Sequence, residues 1–161
     1  MKKARYDINI KNFLPHRRPM LMATVTPYLD QDSVVTHFEI GEDCIFLNET
    51  DRLSETGLIE NAAQASTAIV GQSYFDDEDL EGAGNKIVGY ISAIKKAEVY
   101  SLPCVNELLV TNARLVSRYD NDTMSICTVS STTFRNADLI VACTFNFIIH
   151  EVERPLGNEV I

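Results

Sequence analysis

Positive charge is scarce in this sequence. Its 161 residues carry 14 Lys and Arg against 23 Asp and Glu, a formal net charge of −9. Binding a nucleic-acid backbone needs clustered cations, so that class of function is excluded on charge grounds. Long apolar runs are missing too. No stretch approaches the roughly 18 residues of a membrane-spanning helix. The opening MKKARYDINI has charge without the apolar segment of a secretory signal. Cysteine is limited to Cys44, Cys104, Cys127 and Cys143, with no C-x-x-C pair, and the three histidines are scattered. No zinc spacing results. The expectation is a cytoplasmic protein with four reduced, mostly buried thiols, no metal and no cofactor.

What is present suits a globular chain. Hydrophobic residues make up 45% and charged residues 23%, and the length fits one domain over residues 1–161. Residues 1–20 contain FLPHRRPM, where Pro15 and Pro19 flank His16, Arg17 and Arg18. Proline fixes φ and removes a donor, which predicts a shaped turn there instead of a regular element. Residues 21–28 and 33–40 read as strands. In the second, Val34, Thr36, Phe38 and Ile40 alternate with Val35, His37 and Glu39, a period of two.

SETGLIENAAQASTAIVGQSYF, residues 54–75, is the clearest helix. Ser54 or Thr56 can cap it, and Glu55 complements its positive end. Leu58, Ala62, Ala65 and Ile69 form an apolar stripe, widened by Ile59, Ala63 and Val70. Glu60, Gln64 and Thr67 form a polar stripe at the same spacing. Small alanines let such a helix lie close against a sheet. Residues 76–81 hold five acids in six, and Gly82 and Gly84 mark a break. Strands follow at 86–99, 105–119, 123–135 and 139–152, separated by turn signals. One long helix with about six strands is an α+β layout, an antiparallel sheet wrapped on a helix.

Two of these segments resemble a known family. FLPHRRPMLM resembles the LPHR-x-P-x-L-L opening of the 3-hydroxyacyl-acyl-carrier-protein dehydratases, and GLIENAAQASTAIVG resembles their central-helix motif. The resemblance implies a hot-dog fold, in which a curved antiparallel sheet wraps a long helix. It implies dehydration of 3-hydroxyacyl thioesters to trans-2-enoyl thioesters, with acyl carrier protein or a coenzyme A thioester as partner. It also implies a dimer with two active sites at the subunit interface. The family's helix carboxylate corresponds to Glu60, and its glutamine to Gln64. The family's G-H-F-P-G loop does not carry over. Its histidine position, fourteen residues before Glu60, is Phe46 here, and no histidine lies between His37 and His150. In this the chain resembles the divergent dehydratase-like proteins of aryl-polyene pigment clusters.

The chemistry needs a base for the C2 proton, an acid for the leaving hydroxyl and donors for the thioester oxygen. Glu60 is the candidate acid/base group, and His16, the one histidine within a motif, is its candidate partner. The turn at Thr56 and Gly57 is the candidate carbonyl donor, since a helix start presents free N–H groups. The other readings stay open. Glu60 would then be a surface glutamate favoured by the helix dipole, and Pro-His-Arg a structural brace. Asn48, Glu49 and Asp51 replace the histidine loop and read as solvated. Arg17, Arg18, Lys95, Lys96, Arg114 and Arg118 are candidates for a basic patch facing an acidic carrier. Two alternatives to the dehydratase accompany it: a non-catalytic subunit that binds acyl chains or pairs with an active hot-dog protein, and a thioesterase.

Overall fold

The computed structural model describes residues 4–72 and 87–151. The acidic run at 76–81 and the two glycines after it lie outside the described residues. The elements run β1 (Arg5–Ile8), a 3-10 turn (Ile10–Asn12), β2 (Val25–Leu29), β3 (Ser33–Glu39), α1 (Glu55–Gly71), β4 (Ile87–Val99), β5 (Leu108–Asp120), β6 (Ser125–Arg135) and β7 (Asp138–Glu151). The strands form one antiparallel sheet in the order β1-β2-β3-β5-β6-β7-β4. This sheet wraps α1, the hot-dog arrangement that the resemblance implies.

Period-two patterning builds the sheet's inner face. Val34, Thr36 and Phe38 of β3 are buried and alternate with half-buried or exposed neighbours. The same alternation runs through β6. Bulges in β4 and β5 add local twist and let the long strands curl. Helix α1 begins where Ser54 caps it, its hydroxyl accepting from the Gly57 N–H at 3.3 Å. Ala62, Ala63, Ala65 and Ala68 are buried and bring the helix axis close to the strands. Around them lie Leu58, Ile69, Leu109, Phe145 and Phe147. Each such side chain contributes roughly 1.5–3 kcal/mol on full burial. The turns follow the polar signals: Asp30 Oδ1 accepts from the Asp32 and Ser33 N–H groups, and Asn121 Oδ1 from those of Thr123 and Met124.

Three expectations need correction. The N-terminal segment holds a strand, so the sheet has seven strands and not about six. β1 reads buried-exposed-exposed-buried, and Asp7 has φ 51°, so no alternation betrays it. β2 begins at Val25 and not at 21, because the backbone of residues 20–22 bonds to helix side chains instead of a strand. β5 begins at Leu108 and not at 105, because Asn106, at φ 67°, turns the chain first. Residues 73–75 of the expected helix lie outside the described residues.

Candidate active site

The polar stripe of α1 faces a cavity. Glu60, Gln64 and Thr67 line it together with His16 from the Pro15–Pro19 loop. The cavity measures about 560 Å³, within the range of small-molecule sites. Its other walls are largely apolar: Phe13, Ala63, Phe147 and Ile149, with Gly89 and Ile91 of β4.

His16 Nε2 lies 3.8 Å from Glu60 Oε1, and both side chains are partly exposed to the cavity, at 33% and 25%. Two constraints set this geometry. The helix fixes Glu60 six residues inside its cap. The loop fixes His16, braced by Arg17, whose Nη1 donates to the Leu14 and His16 carbonyls at 2.9 and 2.8 Å. Met20 N–H then closes a turn on the Arg17 carbonyl at 2.9 Å. Among the described residues His16 Nδ1 is buried without a hydrogen-bond partner.

Gln64 completes the group. Its Nε2 donates to Glu60 Oε1 at 2.6 Å and to the Met20 carbonyl at 2.7 Å. Its Oε1 accepts from the Met22 N–H at 2.7 Å. The site therefore offers a carboxylate, an imidazole and an amide along one side of an apolar cleft. Those groups can move a proton to and from an organic substrate held against the cleft walls.

The structure thus brings three of the five expected site residues together: His16, Glu60 and Gln64. Thr56 and Gly57 do not line the cavity. Thr56 is exposed, and the Gly57 N–H is taken by its cap, Ser54. A Cβ on Gly57 would lie 2.6 Å from Leu53 Cδ1 and 2.7 Å from Phe46 Cβ, so glycine here permits helix-to-loop packing. Asn48, Glu49 and Asp51 stay away from the cavity, and Asn48 Oδ1 instead accepts from the Thr50 and Arg52 N–H groups. Arg17 serves the loop backbone, while Arg18, Lys96 and Arg118 pair with Asp43, Glu98 and Asp120. Sequence reasoning missed Asn61, buried directly beneath the site. Its polarity inside an otherwise alanine-rich stripe was the available signal. Among the described residues no cluster could hold a metal ion, and no helix is long and apolar enough to cross a membrane.

A family profile described as ApeP dehydratase, ApeP-like, matches residues 8–138. No curated protein shows significant similarity. Among solved structures, the dehydratase heterocomplex ApeI:P from Xenorhabdus doucetiae is similar at TM-score 0.73 and 16% identity, covering 93% of this chain and 94% of that one. A virulence protein from Campylobacter jejuni is similar at TM-score 0.62 and 10% identity, covering 90% and 87%. A hypothetical thioesterase with coenzyme A from Streptococcus pneumoniae is similar at TM-score 0.55 and 11% identity, covering 80% and 87%. At these identities the solved structures establish the fold, and the profile establishes the family.

Proposed function

Because this chain belongs to the ApeP dehydratase family, we propose that it removes water from 3-hydroxyacyl thioesters carried on acyl carrier protein. The observation that carries the reading is the 3.8 Å approach of His16 to Glu60 at the wall of an apolar cleft. The acyl chain lies along Phe13, Phe147 and Ile149, with C2 and C3 beside the pair. His16 Nε2 takes the C2 proton, and Glu60 gives a proton to the C3 hydroxyl. The C2–H and C3–O bonds break, the C2–C3 double bond forms, and water leaves. Gln64 holds the Glu60 carboxyl in place, and the proton taken by His16 returns to Glu60 before the next turnover.

Among the described residues β4, which lines the cleft, ends the sheet. Tyr90, Ile91 and Ile94 of this strand are 54%, 42% and 51% exposed, an unusual exposure for a long apolar edge. A second hot-dog subunit adding a strand to β4 closes the cleft, in a homodimer or in a hetero-oligomer. The similar Xenorhabdus structure is itself a heterocomplex.

The test is turnover of a 3-hydroxyacyl thioester by the purified protein, alone and mixed with a second hot-dog protein from its own genome. Enoyl product in either arm supports the reading. Unchanged substrate in both arms overturns it in favour of an acyl-binding subunit. Release of free thiol overturns it in favour of a thioesterase.

A further inference from the structure

A chain of buried polar groups runs from the middle of the sheet to the proposed site. The Thr133 and Thr111 hydroxyls, on neighbouring strands, are 2.9 Å apart. Thr111 Oγ1 lies 2.7 Å from Asn61 Oδ1. Asn61 Nδ2 donates to the Met22 carbonyl at 2.6 Å, and the Met22 N–H donates to Gln64 Oε1 at 2.7 Å. Gln64 Nε2 then reaches Glu60. Every member from Thr133 to Gln64 is at most 1% exposed.

Counting protons leaves one arrangement. A backbone carbonyl only accepts, so Asn61 must turn its NH2 toward Met22 and its oxygen toward Thr111. Thr111 has a single proton, and it goes to Asn61. The Thr111–Thr133 bond therefore takes its proton from Thr133. A backbone N–H only donates, so Gln64 must turn its oxygen to Met22 and its NH2 to Glu60. Rotated by half a turn, Gln64 would set a carbonyl oxygen against the carboxylate.

From this we infer that Asn61 and Thr111 are positioning residues for the acid/base pair. They clamp residues 20–22, which orient Gln64 and tie the loop bearing His16 to the helix bearing Glu60. Neither residue lines the cavity. The inference rests on the catalytic reading of His16 and Glu60, and it adds the polar relay that holds them. In water such an array would be redundant. Inside the core each member has only these partners within reach, so its orientation is fixed.

Thr111→Val keeps the shape and removes the hydroxyl, while Thr111→Ser keeps the hydroxyl. Asn61→Leu removes the clamp on Met22 itself. Two readouts are taken on the intact protein with its partner: steady-state kinetics on a 3-hydroxyacyl thioester, and the side-chain amide signal of Gln64 by NMR, assigned with Gln64→Glu. Thr111→Val and Asn61→Leu are expected to lower kcat about tenfold or more, because small misplacements at reacting atoms are costly. KM is expected to stay within about twofold, and Thr111→Ser to match the wild type. The Gln64 amide signal shifts in Thr111→Val and returns in Thr111→Ser. Wild-type turnover by Thr111→Val overturns the inference. If the unmodified protein turns over nothing, the dehydratase reading fails, and the amide signal alone decides the positioning. An unmoved signal in Thr111→Val then overturns it, and a shifted one supports it.

Discussion

His16 and Glu60 meet within one chain, Nε2 to Oε1 at 3.8 Å, although 44 residues separate them in sequence. The pair is therefore complete within one chain, and on the proposed reading a partner's part is to close the cleft. Mixing tests this directly. A dimer of Glu60→Gln with His16→Asn has one lesion in each site and stays inactive. Recovered activity would mean that the working pair is assembled across two chains.

Each lesion alone is expected to cut turnover by about 10²–10⁴, the usual contribution of one acid/base group. Thermal unfolding should change little, since both side chains are partly exposed. Equal turnover by Glu60→Gln and wild type would remove Glu60 from the mechanism.

Gly57→Ala sets two effects against each other. Alanine gains about 1 kcal/mol over glycine in a helix. The added methyl meets buried Leu53 and the Phe46 Cβ, at 2.6 and 2.7 Å, and overpacking costs about 1–3 kcal/mol. The steric term wins, and a lower unfolding midpoint is expected. A raised midpoint would show that the 46–53 loop yields freely.

The four thiols should separate by reactivity. Burial pushes Cys143 up to about 11, and burial also raises Cys127. Cys44 and Cys104 are only half-buried. The thiolate is the reactive form, so a thiol reagent near pH 8 should modify Cys44 and Cys104 in the folded protein. Cys127 and Cys143 should follow only on unfolding. Mass mapping of early adducts on Cys143 would contradict this.

Asp120 adds a pH dependence. Hydrogen bonds from Ser125 and then Arg118 hold its carboxyl below the ordinary 3.8. A depressed folded value stabilises the protein above the unfolded value, and that contribution is lost as pH falls through the folded one. Asp120→Asn should therefore be less stable than wild type at neutral pH, by under about 1 kcal/mol because Asp120 itself is exposed. The difference should vanish in strong acid. Urea titrations at both pH values check the sign.

Several features were legible because they depend on local periodicity. The buried face of β3, the apolar and polar stripes of α1 and the turns at Asp30 and Asn121 follow from residue spacing and short-range hydrogen bonds. β1 was not legible, since a four-residue strand interrupted by Asp7 in a left-handed conformation has no period to detect. Residues 21–22 read as strand and are not, for the converse reason. They are strand-like residues, yet Asn61 and Gln64 hold the backbone groups of Met20 and Met22. Gly57 reads as a carbonyl donor at the helix start, whereas its N–H bonds the Ser54 hydroxyl and Leu53 and Phe46 pack against it.

The sequence by itself determined one long helix, long antiparallel strands, a helix carboxylate with a glutamine one turn on, and the lack of a histidine loop before them. Those properties reside in neighbouring residues. Tertiary structure alone decided that the Pro-His-Arg turn reaches Glu60 and that Asn61 faces Thr111 across the core. It also left β4 as the open edge. Each of these depends on how the sheet curls around the helix, which is set by packing and bulges among residues far apart in the chain.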